Sequence, residues 1–368
     1  MATRNEVIYQ SIALFSSAVT GDALEGVPSG SISGLQRVTD INWGGEVARQ
    51  DVNCMGKLAA TSREIIEEPT VNLGFTYYLA NGFNEGCMGL TVEGRGDTPA
   101  GYPTSLISGV LADAFGLSEK NYYILTVAQG EDADDVELNA NLTPAVTGYG
   151  VVGIGNAFMS DYTVNLAVGE IPNAAVTFDA ANLTFETLSG YAKGSVGNQF
   201  GFQNPAIRRA DDTDLSALQF TGVVVLPDWQ SQNATGGTTE NDNNREVSVS
   251  ALRPGDITVD FANAALPAGG AILPGNTGET VAMGSKQSAH VQSVSINVPL
   301  SRTPLTRLGN PFAFARKIDV PINTSITVSA NVGDITTGSL VDLLCADDPA
   351  RNITVTLGER CSAANNMI

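Results

Sequence analysis

Apolar and polar side chains alternate with period two along much of the chain, in short segments cut by glycine and proline, and this pattern predicts strands. In the clearest segment, Val71, Leu73, Phe75, Tyr77 and Leu79 share one face, with polar or small residues between them. The segment from Ile322 to Val332 matches it, with Thr324, Ile326, Val328 and Ala330 on one face and Thr327 and Ser329 on the other. Between the two, Tyr162–Val168 and Ala175–Asp179 flank Gly169-Glu170-Ile171-Pro172-Asn173, which predicts a hairpin. Helical period is scarce. Pro103 and Thr104 open an apolar stripe of Leu106, Ile107, Val110, Leu111, Ala114 and Phe115 that Gly116 closes, so a helix is expected near 104–115. A second short helix is expected over Ser339–Cys345, before the stop at Asp347-Asp348-Pro349. Glu131–Asp135 and Gln230–Asn244 carry no apolar period and read as loops available for contact.

One spacing occurs twice. Arg49, Gly56 and Arg63 stand seven residues apart, and so do Arg302, Gly309 and Arg316; Pro69 follows the first set and Pro321 the second. With 14 arginines and 39 glycines, chance supplies such a pattern about 0.06 times in this length, so two copies suggest an internal duplication. The flanks agree: Ile41-Asn42 and Ile296-Asn297 lie in alternating segments before the motifs, and turn residues at Asn81-Gly82 and Asn331–Asp334 follow. Each copy reads as a strand, an extended hairpin or long loop carrying Arg-Gly-Arg, then a proline-initiated strand. Arginine in both copies suits fixed, bidentate pairing with carboxylates, within or between subunits.

Charge narrows the function classes. The 368 residues carry 39 acidic and 19 basic side chains, a net charge of −20, which argues against gripping phosphate backbones. The single histidine, His290, has no partner motif and removes most histidine-based metal and general-base chemistry. Cys54, Cys87, Cys345 and Cys361 show no metal or redox spacing and are expected to be reduced and mostly buried. Asp132, Asp134 and Asp135, like Asp211, Asp212 and Asp214, lack the glycine and terminal glutamate of a calcium loop and read as solvated. Arg95-Gly96-Asp97 reads as a turn, and Gly148–Gly153 approaches a dinucleotide fingerprint in β rather than strand-to-helix surroundings. No nucleophile elbow is present. These readings give no catalytic, cofactor or metal residues. Without an apolar stretch long enough for a membrane helix or a leader-like N-terminus, the chain is expected to be soluble, to contact no membrane, and to be assembled in a host cytoplasm.

Four blocks carry a resemblance to a known family: NEVIYQSIALFSSAVTG, RQDVNCMGKLAATSREIIEEPTVNLGFTYYLANGFNE, VVGIGNAFMSDYTVNLAVGEIPNAAVTFDAANLTFE and SVSINVPLSRTPLTRLGNPFAFARKIDVPINTSITVSANVGD. Together they resemble the tail tube (major tail) proteins of long-tailed bacteriophages. The resemblance implies a mainly β fold, a β-sandwich or rolled sheet with a flanking short helix and long loops. It implies a virion protein whose subunits form rings, three two-domain copies or six, that stack into a tube for DNA ejection. Its partners would be itself, other tail proteins, and DNA that passes without specific binding. With the repeat, the expected layout is an N-terminal arm (1–30), a first tube-like β domain (31–195), a linker (196–245) and a second tube-like β domain (246–368). Arg49, Gly56, Arg63, Arg302, Gly309 and Arg316 are the expected assembly residues. The rival readings are a capsid decoration or tail-tip protein and an acidic β-fold glycan-active enzyme. A tube that carries DNA needs a wall that does not adsorb it, so the carboxylates are expected to concentrate on an inner surface.

Overall fold

The computed structural model describes residues 12–18, 32–80, 82–90, 119–127, 133, 150–187, 202–207, 223–224, 226, 251–254, 257–262, 281–282, 289–308, 310–332, 352–358 and 366–367. The first strands are β1 (Ala13–Ala18), β2 (Ile32–Gly34), β3 (Val38–Glu46), β4 (Arg49–Val52), β5 (Ser62–Ile65) and β6 (Thr70–Tyr78), followed by the helix α1 (Phe83–Met88). Next come β7 (Lys120–Thr126), β8 (Gly150–Ala167), β9 (Asn173–Ala180), β10 (Asn182–Thr187), β11 (Phe202–Gln203) and β12 (Val223–Val224). The chain continues through β13 (Ile257–Ala262), β14 (Val281–Ala282), β15 (Ala289–Pro299), β16 (Arg302–Arg307), β17 (Asn310–Ile318), β18 (Ser325–Val332), β19 (Asn352–Gly358) and β20 (Asn366–Met367). The fold is mainly β, and the described residues form one large antiparallel sheet, four smaller ones and one short helix. The helices expected near 104–115 and 339–345, and the loops at 131–135 and 230–244, lie outside the described residues apart from Ala133. Helix α1 occupies the stretch after Asn81-Gly82, where only a turn was expected; its six residues are too few to show a helical period.

The ten-stranded sheet is organised by β8. Its first half pairs with β7 and β10, and its second half with β9 and β15. One branch therefore runs β2-β1-β7-β8-β10, and the other runs β3-β6-β9-β8-β15-β18. The strand changes branch at Asn156, which takes a left-handed φ of 53°. Asparagine tolerates that conformation better than most residues. Its side chain fixes the bend: the backbone N–H of Ile207 donates to Oδ1 at 2.7 Å, and Nδ2 donates to Glu119 Oε2 at 3.0 Å. Gly155 lets the 202–207 segment cross close by, since a Cβ there would stand 2.1 Å from the Pro205 carbonyl oxygen.

The two branches face each other across the main apolar cluster. Tyr122 of β7 meets Phe178 of β9 at 4.7 Å between ring centroids, and Phe75 of β6 stacks on Phe178 at 5.6 Å. The alternation read from Val71–Leu79 holds, with all five apolar side chains buried in this cluster. At roughly 1.5–3 kcal/mol for each large side chain buried, this face fixes the register, because a one-residue slip would turn it to solvent. Within the cluster the Glu85 carboxylate of α1 accepts the Tyr77 hydroxyl at 2.8 Å. Burial, then the Glu85 charge, hold the Tyr77 phenol well above its ordinary range.

Candidate functional site: a polar sheet face, two open edges and two arms

The six strands β3-β6-β9-β8-β15-β18 bury one face and present the other as a polar surface. Alternation places Asp40, Asn42, Asn72, Thr76, Thr177, Asp161, Thr163, Asn165, Ser295, Asn297, Thr327 and Ser329 on that surface. Side-chain bonds link it across strands: Asn297 Nδ2 donates to Asp161 Oδ1 and to Thr163 Oγ1, each at 2.8 Å, and the Ser295 hydroxyl donates to Asn165 Oδ1 at 2.9 Å. Asp40, Glu46, Asp161 and Asp179 supply carboxylates, and the segments forming this six-stranded face contain no lysine or arginine. Asp179 is half-buried, and loss of water raises its pKa against the opposing pull of Arg316.

Among the described residues, both outer strands have an unpaired edge. Among the described residues β3 pairs only with β6 and β18 only with β15, and all neighbours in the six-stranded branch are antiparallel. The strand directions alternate, so β18 of one copy and β3 of another run in the senses that an antiparallel pair requires. Such edges are templates for adding strands.

The repeated arginines lie on two arms that leave the same end of this branch. The first is β4–β5, which continues the β3–β6 hairpin; the second is β16–β17, which continues β15–β18. Their pairing is the same after a shift of 253 residues, the distance from Arg49 to Arg302: Arg49 faces Ile65 as Arg302 faces Ile318, and Val52 faces Ser62 as Leu305 faces Ala315. The register irregularity at Val38/Asp40 recurs at Val291/Ser293 under that same shift. Further elements follow suit: β1 pairs with β2 and β7, as β13 pairs with β14 and β19.

The arms differ in what they touch. The first is exposed along its length, and Gly56 at its tip has φ 89°, which favours glycine. Arg63 Nε lies 2.7 Å from Asp51 Oδ1 within the arm, with both groups largely in solvent, and such pairs contribute about 0–1 kcal/mol. Arg49 is exposed at the base. The second arm is seated on the chain itself. Arg316 Nη2 donates to Glu68 Oε1 at 2.8 Å, the Ala313 N–H donates to Glu68 Oε2 at 2.9 Å, and both charged side chains are 11% exposed. The guanidinium carbons of Arg302 and Arg316 lie 4.8 and 5.7 Å from the Phe158 ring centroid, and Arg302 donates to the Arg316 carbonyl. Gly309 lies outside the described residues. Sequence reasoning missed Glu68 and Phe158, because nothing local marks a carboxylate 248 positions from its arginine. Cys54, expected to be buried, is exposed: it sits near the tip of a two-stranded arm that has no layer beneath it among the described residues. Cys87 is half-buried.

No protein-family model matches this chain, and no curated protein does. Among solved structures the chain is similar to the SPP1 tail tube (8% identity, 50% of this chain and 80% of that one, TM-score 0.28). It is also similar to a chain of the anti-feeding prophage baseplate (8% identity, 51% and 99% coverage, TM-score 0.27) and to a type six secretion system protein (9% identity, 48% and 83%, TM-score 0.24). Likenesses of this size assign no function.

Proposed function

We propose that this chain is a non-enzymatic structural subunit of a phage-type tail that assembles with itself into rings, the wall of a conduit for DNA. The observation that carries the proposal is the six-stranded branch: apolar on one face, polar on the other with no lysine or arginine in its own strands, and with an antiparallel edge at each side that is unpaired among the described residues. Pairing β18 of one copy with β3 of the next uses different surfaces on the two partners, so the association is head-to-tail and closes as a ring. Closure removes both edges and turns the polar face inward, where carboxylates and neutral amides meet a polyanion without holding it. In this reading the chain is a duplicated tube unit, with the shift of 253 residues as its trace and with two tube-like β domains at 31–195 and 246–368. Arg49, Gly56, Arg63, Arg302, Gly309 and Arg316 belong to the assembly arms, and the protein resides in the virion tail. Negative-stain electron microscopy of the purified full chain tests this. Rings with a central hole are expected, and a protein that stays monomeric at tens of micromolar and shows no rings refutes it.

A further inference from the structure

The short helix α1 is set off by two glycines in the left-handed region, Gly82 at φ 76° and Gly89 at φ 90°. It carries the buried Glu85 into the seam between the branches and, two residues further along, holds Cys87 half-buried against the main apolar cluster. On β7, Lys120 and Tyr122 point to that same cluster side, because residues two apart share a face and the pairing of β7 with β1 is regular from Ala13↔Leu125 to Ala18↔Lys120. Both lie within electrostatic reach of Cys87. Burial pushes the Lys120 amine below its ordinary range while a charged Cys87 pulls it back up, and burial followed by the Cys87 charge holds the Tyr122 phenol well above its own.

Tyr122 is the unexplained member of this group. Its side chain is fully buried, and its hydroxyl has no hydrogen-bond partner among the described residues. Nearby phenols are satisfied: the Tyr77 hydroxyl donates to Glu85 at 2.8 Å, and Tyr123 pairs with the Ser17 hydroxyl at 3.3 Å. A buried donor left without an acceptor is costly, and phenylalanine would fill the same space without it. A thiol is a weak acceptor, so Cys87 in its reduced form does little to offset that cost. An oxygen carried on its sulfur would.

We propose that Cys87 is a site of oxidation by hydrogen peroxide, at which Lys120 takes up the thiol proton and the Tyr122 hydroxyl donates to the oxygen that the sulfur gains. The thiolate sulfur attacks one peroxide oxygen: an S–O bond forms, the O–O bond breaks, and the departing hydroxide takes the proton held by Lys120 and leaves as water. Sulfur gives up two electrons and the peroxide accepts them, so the product is a sulfenic acid beside a neutral amine. Burial suits Lys120 to this exchange, since an amine of lowered proton affinity is closer to a match for a thiol.

The full-length chain with its native cysteines supplies the test. It is treated with hydrogen peroxide and with dimedone, which caps sulfenic acids, and each cysteine-bearing peptide is followed by mass spectrometry. Cys54 is the internal control: exposure alone makes it the faster thiol, whereas the site predicts that Cys87 is capped first. Tyr122→Phe should leave the thermal midpoint of the reduced chain unchanged or raised, and yet shorten the lifetime of the Cys87 sulfenic acid, read by delayed addition of dimedone, by about tenfold, as the loss of one strong hydrogen bond implies. Lys120→Met should move the pH at which Cys87 reacts upward, toward that of an ordinary thiol. Capping of Cys87 no faster than that of Cys54 overturns the site. A Tyr122→Phe chain whose sulfenic acid lasts as long as the parent's does the same, and an unmoved pH profile in Lys120→Met overturns the proton transfer.

Discussion

Removing the Glu68 carboxylate is the most direct probe of how the second arm is held. In Glu68→Ala, Arg316 keeps its place against Phe158 but loses the oxygen at 2.8 Å, and the Ala313 amide, on a residue 1% exposed, loses its acceptor at 2.9 Å. Breaking a buried pair from one side costs about 3–5 kcal/mol, and an orphaned amide about 1–3. The two overlap, and 11% exposure of each charged group lets some water in, so the expected destabilisation is about 3 kcal/mol. Arg316→Ala leaves Glu68 with its Ala313 donor and should cost about 2 kcal/mol. The double variant should cost less than the sum, with a coupling of about 2 kcal/mol. Replacing the pair with Glu68→Leu and Arg316→Met should recover most of the loss, since apolar groups of similar volume need no counter-charge. Urea unfolding at constant m measures each value, and amide exchange over 302–318 reports whether the arm opens before the sheet. A Glu68→Ala cost below about 1 kcal/mol with no coupling would refute the reasoning, because the pair would then behave like an exposed one.

Other expectations follow from particular positions. Gly155→Ala drives a Cβ into the Pro205 carbonyl at 2.1 Å and should destabilise by about 1–3 kcal/mol, whereas Gly74→Ala meets its nearest atom at 3.7 Å and should be tolerated far better, as thermal melts of the two would show. Asp179 has its pKa raised in the folded state by burial, so the folded protein favours the protonated form. Its contribution disfavours folding above the folded-state pKa, and this penalty fades as pH falls toward the ordinary value of 3.8. Asp179→Asn should therefore be more stable than the parent at pH 7 and lose that advantage in acid. An Asn variant that is less stable at pH 7 would show that the attraction to Arg316 outweighs the cost of burial.

The strands legible in the sequence were those whose two faces differ in chemistry. Val71–Leu79 and the 162–179 hairpin alternate cleanly, because one face packs and the other meets water, and the arginine spacing falls on the two arms, which the sequence reads as long loops or extended hairpins. The expected second strand begins at Ser325 rather than just after Pro321. The full length of β8 was not legible: its residues from Gly150 to Ala157 are nearly all buried on both sides, so glycines that look like turn residues serve instead as gaps under Pro205 and Thr184. The seat of the second arm was equally hidden, since Glu68, Phe158 and Arg316 are brought together through the pairings of β6 with β9, β9 with β8 and β8 with β15. Local pattern carries periodicity but not which distant carboxylate completes a pair.

In the ring proposed above, six strands per copy would set a step size for the bore. With strands about 4.8 Å apart and tilted by about 40°, two copies joined edge to edge would enclose a circle about 24 Å across between backbones, and three copies about 36 Å. The inward side chains take about 5 Å from each wall, which leaves about 14 Å or about 26 Å. A B-form duplex carries grooves about 8.5 and 7.5 Å deep on its two sides, together about 16 Å, so it is too wide for the smaller bore. In the proposed ring, three copies would thus be the smallest closed set that a duplex can traverse, and each further copy would widen the bore by a fixed increment.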